Sequence, residues 1–233
     1  MIIQDVILKI EQRLNKKATS DYDNIPVFEQ IEAYNKATIN VVLRLHGLNN
    51  MYKHGVESTR KRVEDLKFLI NKDPLKLRVT RKDGYYLTEN MPADYLLYIR
   101  SYSIAKNEQC PGKQITNYLG EESNINTLLG NDNTNPNFEW GETVITLVDH
   151  NIKVYTENKF DIVNVYLTYL RYPRKVDIQG YIKPDGSNST NIDPDLPDYI
   201  VEMCIDEAVR IISGDIENQF GNSMAQQNLS QDE

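Results

Sequence analysis

The sequence predicts an α+β fold: a helical body formed by the N- and C-terminal helices, with an inserted antiparallel β-rich region. Three observations predict it. Apolar residues recur at helical spacing through residues 1–72 and again through 196–220. Over 75–176 the apolar period changes to two, the mark of strands with one buried face. Helices distant in sequence on either side of a sheet-forming segment imply that the chain ends meet. The expected parts are an N-terminal helical part at 1–74 and a β-rich insertion at 75–177. A linker and C-terminal helix at 178–220 then rejoin the helical body, and a flexible tail follows at 221–233.

The elements follow in order. Ile3, Val6, Ile7, Ile10 and Leu14 form one stripe, which predicts an amphipathic helix over 2–17. Pro26 stands where a first helical position belongs, with Asn24 as its cap. Phe28, Ile31, Tyr34, Val41, Val42 and Leu45 carry that helix to about His46, and Gly47 stops it. Val63, Leu66 and Ile70 mark a third helix over 58–71, closed by Asp73-Pro74.

From Leu75 the pattern is that of strands. Leu75, Leu77 and Val79 alternate with Lys76 and Arg78, and Lys82-Asp83-Gly84 signals a hairpin answered by Tyr85-Tyr86-Leu87. A further strand spans 95–104. Residues 106–140 are less regular, with a short strand at 115–119, a short helix at 121–129 ended by Gly130, and a polar loop at 131–137. Segments 143–148, 152–157 and 161–172 read as a meander, with Asp149-His150-Asn151 as a tight turn. On the last strand Val163, Val165, Leu167, Tyr169 and Arg171 face one way, and Tyr166, Thr168, Leu170 and Tyr172 the other. Large apolar groups on both faces predict cover on both sides. A loop rich in Gly, Ser, Asn and Asp spans 177–195. Asp195 or Pro197 opens the last helix, whose apolar face carries Ile200, Met203, Cys204, Ala208, Ile211 and Ile212.

Composition narrows the function. A chain of 233 residues can bury roughly 70% of its unfolded surface and needs no staple. The net charge of −8 argues against tight phosphate binding, which needs clustered Lys and Arg, yet it suits a surface that DNA slides past. Cys110 and Cys204 offer neither a metal spacing nor a disulfide framework, so a reduced cytosol is the expected compartment, with a bridge between them left open. No apolar run reaches the ~18 residues of a membrane helix, and Met1-Ile2-Ile3-Gln4-Asp5 lacks the marks of a secretion signal. No membrane partner and no cofactor is expected.

The motifs of nucleotide binding, zinc hydrolysis and serine hydrolysis are missing from the chain. His46, His54 and His150 are scattered and read as surface or structural residues. Asp193, Asp195 and Asp198 crowd a helix start, where capping and the helix dipole account for them better than a cation does. A metal-dependent hydrolase using these three acids is the enzymatic alternative. Asn131, Asn133 and Asn135 alternate as in a calcium loop, but Pro136 stands where the turn glycine belongs. The tyrosines are in excess. Those in strands read either as sheet formers or as interface anchors with an apolar ring and a wet hydroxyl. Tyr166, Tyr169, Arg171, Tyr172, Arg174 and Lys175 are the interface candidates; Arg171, Arg174 and Lys175 also read as a solvated strand end.

Three stretches resemble those of phage head-to-tail adaptor proteins. Residues 2–45 are similar to the paired N-terminal helices of that group. Tyr166-Leu167-Thr168-Tyr169-Leu170-Arg171-Tyr172-Pro173-Arg174-Lys175-Val176-Asp177 resembles its strand with a basic exit. Leu196-Pro197-Asp198-Tyr199-Ile200-Val201-Glu202, running on to Ile212, resembles its closing helix. The Asn- and Ile-rich composition is similar to that of crAss-like gut phages. The resemblance implies a non-enzymatic virion protein, assembled in the host cytoplasm into a closed, typically twelve-fold ring in the neck or tail of a short-tailed phage. Its implied partners are copies of itself, the portal protein, adjacent tail or neck rings, and DNA in transient, non-specific passage. Phe220, Met224 and Leu229 are the portal-docking candidates in the C-terminal segment. A virion assembly protein outside the connector class is the nearest alternative.

Overall fold

An open sheet of alternating strands leaves two edges unpaired, and this chain removes them by closing its sheet into a barrel. The computed structural model describes residues 1–17, 25–46, 64–183 and 186–215. Its helices are α1 (Ile3–Lys17), α2 (Val27–His46), α3 (Ile125–Leu129) and α4 (Asp198–Asp215). Its strands are β1 (Leu75–Arg81), β2 (Tyr85–Thr88), β3 (Tyr95–Lys106), β4 (Lys113–Leu119), β5 (Glu142–Val148), β6 (Asn151–Tyr155) and β7 (Asp161–Arg171). The chain divides into two compact units, one of Ile70–Arg171 and one of Met1–Leu69 with Tyr172–Glu233.

In the first unit the strands run β1-β2-β6-β5-β4-β3-β7 around the barrel, and β7 closes it on β1. Gly84, at a φ of 77° that a side chain disfavours, turns β1 into β2. Val148 pairs with Asn151, so Asp149-His150 is a two-residue turn, with Asp149 at φ 55°. β4 and β5 are parallel, whereas the other ladders are antiparallel. Parallel neighbours need a crossover of about a dozen residues or more. Residues 120–141, with α3 and the Asn-rich loop, supply it. That accounts for the irregular stretch. The interior is filled by Leu77, Ile115, Ile145, Ile152, Val165, Leu167 and their neighbours. Ser101, Ser103 and Asn117 are also buried, and they satisfy one another: Ser103 donates to Asn117 Oδ1 and Asn117 to Ser101, each at 2.8 Å.

In the second unit α4 packs on α2 and on α1. It buries Ile200, Val201, Cys204, Ile205, Ala208, Val209 and Ile212, a face wide enough for two neighbours. The expected apolar face missed Val201, Ile205 and Val209, and it included Met203 and Ile211, which are half-buried. Glu207 is buried against α2. It accepts from Asn40 Nδ2 at 3.3 Å and from Arg210 Nη2 at 2.6 Å, and Arg44 lies 3.9 Å away. Burial pushes the Glu207 carboxyl up, but the arginines outweigh it and hold the group below the usual carboxylate value. Arg13 of α1 pairs with Glu202 and Asp206, and Lys9 with Glu202.

The expected architecture is therefore corrected. The strand segment is not an antiparallel insertion in a helical body but a closed seven-stranded barrel with one parallel ladder. Alternation in sequence identifies strands but does not say which edges meet. The expected meander is corrected too: β6 pairs with β2 and β5, while β7 lies between β1 and β3. On β7, Ile104 pairs with Asn164 and Ala105 with Ile162, so Val163 is an extra, unpaired residue. It is 40% exposed, and the phase shift turns Ile162 inward with Val165 and Leu167. The third helix also ends early. Residues 64–66 are helical, 67–69 turn, and Ile70 bridges to Leu170; residues 58–63 lie outside the described residues.

Candidate interaction surfaces

The interface candidates of the 166–175 stretch divide between the two units. Tyr166 stands on the outside of β7, its ring stacked on Tyr102 at 4.9 Å between centroids and 7° between planes. The Tyr169 ring fills the barrel interior, 7% exposed, and its hydroxyl donates to Asp94 at 2.9 Å. Alternation places Tyr169 with Val165 and Leu167, and closure makes that face the core. Arg171 is half-buried at the end of β7. Tyr172 is 45% exposed, and Arg174 and Lys175 are exposed in the other unit. Phe220, Met224, Leu229 and His54 lie outside the described residues.

The three acids around the start of α4 serve three different bonds. Asp193 accepts the main-chain N–H of Ile3 at 2.8 Å, which caps α1 rather than its own helix. Asp195 accepts the N–H of Arg174 at 3.3 Å. Asp198 lies 2.6 Å from the Met1 amino nitrogen. Among the described residues no group of three or more His, Cys, Asp or Glu side chains is arranged to hold a metal ion. His46 is exposed at the end of α2, and His150 in its turn is exposed beside Asp149, 3.8 Å away. Cys110 and Cys204 are free thiols, and burial pushes Cys204 up to about 12. No described helix is long and apolar enough to cross a membrane.

The barrel surface carries features that periodicity did not show. Tyr118 and Leu119 at the end of β4 are each 52% exposed, and Trp140, the sole tryptophan, is 62% exposed. The Thr116 N–H bonds the Gly141 carbonyl at 2.7 Å, which brings the segment carrying Trp140 alongside β4. The lone Trp140 was the signal available here, and by itself it reads equally as a buried anchor. Nearby, Glu122 gathers Lys153 at 2.7 Å, Thr146 at 2.5 Å and the Tyr155 hydroxyl at 3.1 Å. The bond from Lys153 holds the Glu122 carboxyl below its usual value. This cluster fastens the crossover to β5 and β6.

The second unit exposes apolar side chains as well: Leu8 on α1, and Phe28 and Leu43 on α2, are 42–53% exposed. Between α2 and α4 lies a groove of about 330 Å³, lined by Ile25, Glu29, Glu32, Ala33, Lys36, Ile211 and Ile212. Compared with protein-family models and with curated protein sequences, the chain matches none.

Proposed function

We propose that this chain is a structural subunit of a phage virion, whose copies form a ring in the portal, neck or tail through which genome DNA passes. The observation that carries this reading is the presence of large exposed apolar side chains on both units: Tyr118, Leu119 and Trp140 on one, Leu8, Phe28 and Leu43 on the other. Large apolar side chains left in solvent mark surfaces that meet other proteins where they gather, and the Thr116–Gly141 bond brings the segment of Trp140 alongside the strand of Tyr118 and Leu119. A closed barrel offers no open sheet for strand addition, so such a subunit associates through side-chain faces. The resemblance of 2–45, 166–177 and 196–212 to head-to-tail adaptors supports the same reading. A net charge of −8 fits a conduit that must not grip DNA. The partners of this reading are further copies, the portal protein and adjacent rings.

The test mixes the purified chain with the portal protein of the same particle and images the mixture by negative-stain electron microscopy. Rings with a hollow centre are expected. Trp140→Ser combined with Tyr118→Ser lowers ring yield about tenfold, the loss of two aromatic anchors. A chain that stays single in the presence of portal and neighbouring ring proteins overturns the reading.

A further inference from the structure

Two faces of this chain, one on each unit, carry opposite charges that form no ion pair among the described residues. Strand register lays out the first. Lys76 pairs with Tyr166, Tyr166 with Tyr102, and Tyr102 with Thr116, so the four stand in one row across β1, β7, β3 and β4. Arg78 stands opposite Asn164 and Arg100 opposite Thr168, in the flanking rows. Leu77, Ser101 and Val165 between them are buried, so Lys76, Arg78 and Arg100 point outward with the tyrosine stack, and all three are exposed. Glu89 takes the main-chain N–H of Arg78 at 3.0 Å, but among the described residues none of the three cationic groups has a carboxylate within ion-pair distance.

The second face is the groove between α2 and α4. Its floor is apolar, made by Ile25, Ala33, Ile211 and Ile212. Glu29 and Glu32 stand on its rim, exposed and without an ion pair among the described residues, with Lys36 beside them. The Gln30 amide, bonded to the Ile25 carbonyl at 3.0 Å and to Glu11 at 3.4 Å, ties a third carboxylate to the same end. The rim is thus net negative even with Lys36 counted.

The match is one of shape class as well as sign. Lys and Arg carry an apolar stem and a charged head. A groove with an apolar floor and a carboxylate rim accepts the stem below and the head above, and guanidinium–carboxylate bonds are the strong, directional ones. We infer that the two faces are the halves of one interface between copies. The Lys76, Arg78 and Arg100 face around the Tyr102–Tyr166 stack of one copy docks on the Glu29 and Glu32 groove of the next. Each copy contributes a different face, which is the heterologous arrangement that builds rings and filaments. The inference rests on the ring-subunit reading and supplies its contact. A nucleic acid is the weaker occupant of the barrel face. Three cations are few against a net charge of −8, and the two rings turn their faces to each other rather than to a base.

The test uses the full chain in two charge-reversed forms, Lys76→Glu/Arg78→Glu/Arg100→Glu and Glu29→Lys/Glu32→Lys. Each form alone opposes like charges; mixed, they present complementary faces in both directions. Sedimentation velocity at low salt is expected to show wild-type self-association that weakens with added salt. Each form alone loses about tenfold or more in affinity, and the equimolar mixture recovers to within about threefold of wild type. Circular dichroism checks the fold. Should a reversed form not fold, the Gln variants at the same positions replace it, each losing roughly fivefold. A wild type that stays monomeric, a variant that associates unchanged, or a mixture that does not recover overturns the interface. So does an oligonucleotide probe that binds wild type and not the barrel variant while self-association stays unchanged. Portal-dependent rings formed equally by wild type and both variants overturn this contact and leave the ring reading standing. The absence of rings from wild type overturns both.

Discussion

Several tyrosine hydroxyls of this chain end on carboxylates. Tyr86 donates to Asp161 at 2.7 Å, Tyr169 to Asp94 at 2.9 Å, Tyr181 to Asp177 at 2.7 Å and Tyr199 to Asp65 at 2.7 Å. Burial, and then the neighbouring carboxylate, push each of these phenols up to about 12. Sequence composition suggested sheet formers or interface anchors; the hydroxyl's partner is a long-range choice that spacing does not encode. Asp177 is the most connected acceptor. It is buried and takes the Ile178 N–H at 3.0 Å, the Thr190 N–H at 3.2 Å, the Tyr181 hydroxyl and Lys183 at 2.8 Å. Burial pushes its carboxyl up, but Lys183, Tyr181 and the main-chain donors outweigh that and hold it below its ordinary value. The folded chain thus binds this proton more weakly than the unfolded chain. Its stabilisation is whole above the unfolded pKa, roughly 4, and is lost as pH falls through the folded value. Asp177→Asn is expected to cost about 1–3 kcal/mol at neutral pH in urea unfolding, and to flatten the stability loss below about pH 4. An unchanged pH profile would assign the acid sensitivity elsewhere.

Elements here are completed by distant residues. The first turn of α1 has orphan N–H groups, and the acceptor for Ile3 comes from Asp193, 190 residues away. Sequence reading placed that acid at the start of the last helix because capping rules are local. Asp193→Ala is expected to lower stability by about 1 kcal/mol, with Asp193→Asn losing less, as read by thermal unfolding followed by far-ultraviolet circular dichroism. Equal melting of all three proteins would mean that water replaces the cap at no cost. The crossover between β4 and β5 shows the same limit. Its short helix and polar loop were legible as pieces, but their purpose was not, because nothing in 106–140 states that the two strands run parallel. Val163 shows it at single-residue scale: strict alternation placed it on one face with Val165, and a bulge opposite β3 put the two on different faces.

The molecule as a whole divides by how its chain is used. Ile70–Arg171 is one continuous segment with its own core and a sheet without open ends, whereas the other unit draws on two separated segments. A protein of residues 70–171 alone is therefore expected to fold, giving a strand-type dichroism spectrum and a single cooperative melt. Non-cooperative melting would show that barrel closure needs the rest of the chain. The exposed side chains of Tyr118, Leu119 and Trp140 belong to this unit, and their exposure was not legible in advance. Exposure is a property of the closed barrel, and a lone tryptophan in a polar stretch reads equally as a buried anchor.

By itself the sequence determined, among the described residues, most of where the chain is helical, extended or turned, the early end of the third helix excepted. Period, Gly and Pro act over a few residues, so α1, α2, the Gly84 hairpin and the Asp149-His150 turn stand where local patterns put them. Only the tertiary structure decided which strands are neighbours: that β7 closes on β1, that β6 leaves β7 for β2, and that β4 and β5 run parallel. Partner choice depends on burying one shared interior, a quantity summed over residues far apart in the chain, and no local pattern carries it.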